Sequence, residues 1–163
     1  YILVYVDDLI VLGPQAQVRW ILKLIADEFR ATDPIHLSQA SYHDPLVFLG
    51  HEIYIDSKNR LIISQRTYVR TVLERFNISS PLTTLRPEDF TPAVLTSGTP
   101  LSEADHSLFR SKLGSASYLS QGTRVELLSP ISMLAEYQSQ PTDMPLSAFA
   151  QFSYFFIQCV SRN

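Results

Sequence analysis

Tyr1-Ile2-Leu3-Val4-Tyr5-Val6-Asp7-Asp8-Leu9-Ile10-Val11-Leu12 is the stretch on which the fold turns. Its apolar runs, 1–6 and 9–12, are rich in β-branched residues, are separated only by Asp7-Asp8, and are closed by Gly13-Pro14. That pattern predicts a buried β-hairpin. In a regular strand, successive side chains point to opposite faces, so adjacent aspartates can serve one ion only at a tight turn. Asp-Asp is not the pair that a two-residue turn favours, since Asn-Gly or Asp-Gly supplies the positive φ angles of a type I′ turn. Local turn stability therefore does not explain the pair. Carboxylate oxygens suit Mg²⁺, and two such ions could clamp the attacking and leaving oxygens of a phosphoryl transfer. A receiver-like signalling domain would also open with a buried strand ending in acidic Mg²⁺ ligands, with Asp56 as its phosphoacceptor. Here, however, Leu9-Ile10-Val11-Leu12 resumes a strand at once, and the chain beyond Asp56 lacks alternating strands and helices.

Working outward, 163 residues at 45% hydrophobic content suffice for one ordinary domain or two small subdomains. No apolar run approaches the roughly 20 residues of a membrane span. The first run has no basic region before it and no small-residue cleavage site after it, so it does not read as a signal peptide. The Tyr at position 1 makes an excerpt of a longer protein the expectation. Cys159 is the single cysteine, and His36, His43, His51 and His106 have no cysteine partner at zinc-site spacing. A reducing environment is expected. A net charge of −3 requires any nucleic-acid surface to be local. One stretch qualifies: Lys58, Arg60, Arg66, Arg70 and Arg75 face only Asp56 and Glu74 between positions 56 and 75. A solvated helix face is the other reading of that run.

Val18, Ile21, Leu22, Ile25 and Phe29 recur at helical spacing and predict a helix packed by one face on the sheet. A polar connection over 31–45 leads into a second hairpin, with strands 46–55 and 60–64 around Asp56-Ser57-Lys58-Asn59. Ser64 stands where an N-cap belongs, before the apolar stripe Tyr68, Val69, Val72, Leu73 and Phe76. Arg66 and Arg70 fall one turn apart on that helix. Residues 77–100 hold four prolines and many Ser and Thr, and mark a linker and subdomain boundary. Ser102-Glu103-Ala104-Asp105 is a capping box for a helix with Leu108, Phe109, Leu113, Ala116 and Leu119 on one face, which Gly122 can end. Further helices are predicted over 126–138 and 145–160, separated by Pro141-Thr142-Asp143.

With Tyr5-Val6-Asp7-Asp8 between Ile2-Leu3-Val4 and Leu9-Ile10-Val11, the first hairpin resembles the catalytic motif of reverse transcriptases. Phe48-Leu49-Gly50-His51-Glu52-Ile53, Leu61-Ile62-Ile63-Ser64-Gln65, Tyr68-Val69 and Leu73-Glu74-Arg75-Phe76 resemble, in order, the primer-grip hairpin and following helix of copia-type LTR-retrotransposon enzymes. Phe109-Arg110-Ser111-Lys112-Leu113-Gly114-Ser115, Tyr118-Leu119 and Thr123-Arg124 resemble their thumb segment. The ordered matches span nearly the whole chain.

The resemblance implies RNA-directed DNA polymerase activity, in which a primer 3′-hydroxyl attacks the α-phosphate of a dNTP. It implies two Mg²⁺ ions, with Mn²⁺ as a substitute, and Asp7 and Asp8 as catalytic and metal-binding carboxylates. The family's third carboxylate comes from a strand upstream of this hairpin, so the excerpt is expected to be inactive by itself. Tyr5 and Val6 would lie near the primer terminus and dNTP, and Phe48, Leu49, Gly50, His51 and Glu52 would form the primer grip. Arg66, Arg70, Arg110, Gly114 and Tyr118 would contact an RNA or DNA template with its primer. The ribonuclease H and integrase regions of the same polyprotein would be partners, inside the cytoplasmic virus-like particle of the element, with no membrane. For Gly50 a strand bulge stands beside close approach of nucleic acid. For Gly114 helix–helix packing stands beside minor-groove contact.

Two departures from the family point to a decayed or domesticated binding module as the alternative. Val125-Glu126 replaces the usual Pro-Asp, and the connection 33–44 lacks the usual short glycine-containing form. The expected architecture is α+β: a partial palm with both hairpins over 1–64, a first thumb helix and linker over 65–100, and a helical thumb over 101–163.

Overall fold

The turn of the first hairpin falls on Val6-Asp7, one residue earlier than the Asp7-Asp8 turn that the sequence predicts. Strand β1 (Ile2–Tyr5) pairs antiparallel with β2 (Asp8–Val11), with Tyr5 opposite Asp8 and Ile2 opposite Val11. Asp8 is thus a strand residue, and Val6 takes φ 50°. A β-branched residue in the left-handed region is a genuine outlier, because its Cβ crowds the backbone.

The computed structural model describes residues 1–79 and 87–150. It is an α+β chain, 51% helix and 16% strand in small antiparallel sheets. It divides into two units, Tyr1–Leu49 with Ile53–Ile62, and Gly50–Glu52 with Ile63–Asn163.

The first unit holds β1, β2, helix α1 (Gln15–Glu28) and strand β3 (Leu46–Phe48). Its buried apolar residues are Ala40 and Phe48 alone. The expectation of a buried first hairpin therefore fails: Ile2, Leu3, Val4, Tyr5 and Leu9 are exposed, and only Ile10 and Val11 of the ribbon are half-buried. A two-stranded ribbon has no core of its own, and burial needs further strands or a packed layer. Helix α1 likewise has no buried residue, and Trp20, Leu24 and Phe29 are exposed. Its apolar periodicity is correct: Val18, Ile21, Leu22 and Ile25 are the half-buried positions of the helix, and only Phe29 of the predicted stripe is exposed.

The strand predicted over 46–55 is two strands. Phe48 ends β3, His51 begins β4 (His51–Ile55), and Leu49 (φ 49°) and Gly50 (φ 73°) make the turn between them. Two consecutive left-handed residues are the mark of a type I′ hairpin. Leu-Gly is an unusual pair for it, which is why the pattern reads as one strand with a bulge. Strand β5 (Leu61–Ser64) completes a sheet of order β3-β4-β5. No βα repeat remains here for the receiver alternative.

Helix α2 (Arg66–Arg75) starts one residue later than predicted: Gln65 is its N-cap residue, while the Ser64 hydroxyl accepts the Arg66 N–H at 3.2 Å. Of the stretch 77–100, residues 80–86 lie outside the described residues. A 3-10 turn at Pro87–Phe90 and a short helix α3 (Pro92–Leu95) bury Phe90 and Leu95 in the main core. Proline and hydroxyl content mimics a linker, but two large apolar side chains suffice to pin such a segment. Helix α4 (Glu103–Gly122) begins as its capping box predicts, with the Ser102 hydroxyl accepting the Asp105 N–H at 3.2 Å. Helices α5 (Leu128–Ala135) and α6 (Asp143–Ala150) follow. Helix α5 is shorter than the predicted 126–138, while α6 begins two residues before the predicted 145 and the rest of the predicted span lies outside the described residues. Phe109, Leu113, Ala116 and Leu119 of α4 meet Val69 and Val72 of α2, together with Ile131, Leu134 and Phe149, in one core. Among the described residues, no helix is long and apolar enough to cross a membrane.

Between β4 and β5, Asp56 organises its own turn. Its Oδ1 accepts the backbone N–H groups of Lys58 and Arg60 at 2.9 Å each, and its Oδ2 accepts Arg60 Nε at 2.7 Å. The Arg60 side chain is the largest cause holding this carboxyl below its ordinary 3.8, and the backbone donors add to it. A depressed carboxyl pKa stabilises the turn above the ordinary value, and the contribution is lost as pH falls through the lowered pKa. An NMR titration is expected to place the Asp56 midpoint below 3.8 and to move it upward in Arg60→Gln; a wild-type midpoint at or above 3.8 contradicts this.

Candidate functional site

Two groups of residues predicted from sequence stand in separate units. In the first unit, Asp7 is the second turn residue and Asp8 the first residue of β2, and both are exposed. Tyr5, facing Asp8 in the ladder, and Val6 in the turn are exposed beside them. Two carboxylates at one end of a ribbon offer oxygen donors of the kind Mg²⁺ takes. Among the described residues no third acidic, His or Cys side chain joins them as a metal cluster. The donor set thus fits the cation in kind and is incomplete in number.

The second group lies in the helical unit, around the tip of the β3–β4 hairpin. Gly50 is close to a helix side chain: a Cβ there would stand 2.7 Å from the Tyr118 hydroxyl oxygen. Both its positive φ and this approach require glycine. The neighbour that explains Gly50 is thus protein, and the residue is a turn position, not a strand bulge. The His51 ring sits 5.9 Å from the Tyr118 ring, and Tyr68 of α2 meets Tyr118 edge-on at 4.8 Å. A Cβ on Gly122 would stand 2.5 Å from His51 Nε2 and closer still to Gln65 Oε1. Gly122 therefore admits the hairpin tip against the end of α4 as well as lying at its terminus.

Glu52 is 3% exposed, so it is not a surface contact. Its Oε1 accepts the Thr67 backbone N–H at 3.2 Å and also the Thr67 hydroxyl, while Oε2 lies 3.4 Å from an Arg66 guanidinium nitrogen. The Thr67 and Arg66 groups sit in the first turn of α2, where exposed N–H groups and the helix dipole favour an anion. The Arg66 side chain is only 13% exposed, and its charge is directed at Glu52. Gln65, also buried, accepts the Thr123 hydroxyl at 2.8 Å, tying the start of α2 to the residue after α4. Its Nε2 is buried with no partner among the described residues.

Of the remaining predicted residues, Phe48 is buried, Leu49 is half-buried in the turn, and Arg70 is exposed on α2. Arg110, Gly114 and Tyr118 do share one exposed face of α4, as their four-residue spacing requires. A Cβ on Gly114 would meet nothing within 4 Å, so helix packing does not account for this glycine. A helical glycine costs about 1 kcal/mol relative to alanine and here leaves backbone open to solvent.

The sequence reading misses Gln65, Thr67, Tyr68 and Gly122 as anchors of the hairpin tip. Only Gly122 carries a signal of its own, and it is ambiguous, since a glycine near a helix end reads first as a terminator. No protein-family model and no solved structure matches this chain.

The two helical glycines make opposite predictions. Gly114→Ala should raise the unfolding free energy by about 0.5–1 kcal/mol, because it gains helix propensity without a clash. Gly122→Ala should lower it by about 1–3 kcal/mol, because Gln65 is buried and bonded and cannot yield freely. Equal effects in denaturant unfolding would contradict this assignment.

Proposed function

We propose that this chain is part of an RNA-directed DNA polymerase of a copia-type LTR retrotransposon, comprising the end of the palm, the primer grip and thumb helices. The observation that carries the reading is the first turn. An acidic pair follows a valine held at φ 50°, where glycine or asparagine would relieve the strain. Such outliers cost about 1–3 kcal/mol and cluster where function fixes the backbone. The ordered sequence resemblance supports the same reading along the rest of the chain.

In this reading Asp7 and Asp8 are two of three carboxylates for two Mg²⁺ ions, and the third comes from an upstream strand of the same protein. The ions would supply charge stabilisation at the transferring phosphate. Tyr5 and Val6 lie near the primer end and the incoming dNTP. The hairpin from Phe48 to Glu52 positions the primer strand, but Glu52 and Arg66 act by holding the tip rather than by touching nucleic acid. The open face of Arg110, Gly114 and Tyr118 receives the template–primer duplex, with Arg70 on the neighbouring helix. The ribonuclease H and integrase regions of the polyprotein would be partners within the particle.

The second reading, a non-polymerising binding module, rests on Val125-Glu126 in place of Pro-Asp and on the connection 33–44 without its usual glycine-containing form. Glu126 forms an ion pair with Arg124.

The test is primer extension on an RNA template by the protein extended through its upstream region. Asp7→Asn with Asp8→Asn is expected to abolish extension while leaving duplex binding within a few-fold. Extension at the wild-type rate in the double variant would overturn the assignment.

A further inference from the structure

At the C-terminal end of α2, Phe76 carries a cation on two fronts. The Arg75 guanidinium carbon lies 5.2 Å from its ring centroid, and the Lys112 ammonium of α4 lies 5.9 Å from it. The ring is half-buried and packed on the helical core, so it is a fixed platform. Arg75 is fixed again by donating to the Ser111 hydroxyl at 2.8 Å.

Neither cation has a carboxylate partner among the described residues, whereas Arg60, Arg66 and Arg124 each do. Glu74, adjacent to Arg75 in the chain, forms no ion pair with it. Burial alone holds the Lys112 ammonium below the usual lysine range, and no opposing charge offsets it. The helix dipole favours one cation in the last turn of α2, which accounts for Arg75 but not for Lys112 on another helix. Cation–π contact stabilises each cation but leaves its charge and most of its donors unused. An arginine already immobilised loses less freedom when it takes an oxyanion, and its planar fork matches phosphate geometry.

We propose that Arg75 and Lys112, seated on Phe76, form a binding site for backbone phosphates of a nucleic acid. Phosphate is favoured over the carboxylates of an acidic peptide because Ser111 and Lys112 adjoin Arg110 on α4, whose exposed row includes the open backbone of Gly114. The site lies outside the residues given above to the duplex, and it rests on the reading that nucleic acid is a partner.

Each phosphate neutralised by one cation contributes about 0.9 to the slope of log affinity against log salt on duplex DNA. The 163-residue chain is titrated with a labelled RNA–DNA duplex and a labelled DNA duplex across a salt series, beside Arg75→Gln, Lys112→Gln and the double variant. Each single substitution is expected to reduce the slope by about 1 and the double by about 2, equally for duplexes of unrelated sequence. Arg75→Lys and Lys112→Arg, which keep the charge, are expected to retain the slope, which separates loss of a phosphate contact from loss of fold. Duplex binding with an unchanged slope in the double variant overturns the site while leaving the polymerase reading intact. Absence of duplex binding by the wild-type chain also overturns it. A poly-glutamate probe that binds as tightly and is lost in the same variants would assign the site to acidic peptides instead. If the slopes fall as expected while primer extension proves independent of Asp7 and Asp8, the site stands and the polymerase reading fails.

Discussion

The buried carboxylate of Glu52 is the interaction on which the described site depends. An ionised carboxylate removed from water is costly unless its lone pairs and charge are answered. Here the first turn of α2 answers Oε1 through the Thr67 N–H and hydroxyl and pairs the charge with the Arg66 guanidinium, while Oε2 has no hydrogen-bond partner among the described residues. Because Glu52 lies two residues beyond the Leu49-Gly50 turn, that pairing fixes the hairpin tip on the helical core. Gly50 and Gly122 then let Tyr118 and His51 close around it without a Cβ in the way. The three tip residues 50–52 accordingly belong to the helical unit, while the chain on either side of them belongs to the other.

In the proposed reading, this arrangement separates residues that would touch nucleic acid from residues that aim them. Glu52 and Arg66 look from sequence like polar groups for nucleic acid. Burial and mutual pairing turn them into positioning residues instead. Arg110, Gly114, Tyr118, Arg70, Arg75 and Lys112 keep the exposure or the unused donors that contact requires.

The sequence made element identity legible wherever periodicity and caps agreed. Helix α4 was predicted from its capping box and apolar face, and it starts there, with Phe109 and Leu119 fully buried. The glycine in its middle reads as unusual in the sequence, and among the described residues nothing packs within 4 Å of a Cβ there. The Leu49-Gly50 turn was hidden because leucine rarely takes positive φ, and the Val6-Asp7 turn was displaced by one residue for the same reason. Apolar content reads as full burial of the first hairpin and of α1, but the small first unit buries them only in part: Ile10, Val11, Val18, Ile21, Leu22 and Ile25 are half-buried while Ile2 to Val6 stay exposed. Within the Pro-, Ser- and Thr-rich stretch, linker-like composition conceals Phe90 and Leu95 as core.

The most direct test of the central claim is a double-mutant cycle on Glu52 and Arg66, read by denaturant unfolding of the chain. Glu52→Gln and Arg66→Met are each expected to destabilise by about 3–5 kcal/mol, because each leaves a buried charge without its partner. The double variant is then expected to cost little more than either single one, giving a coupling close to one single loss, about 3–4 kcal/mol. Strictly additive losses, with no coupling, would contradict the account of the hairpin tip as anchored through this pair.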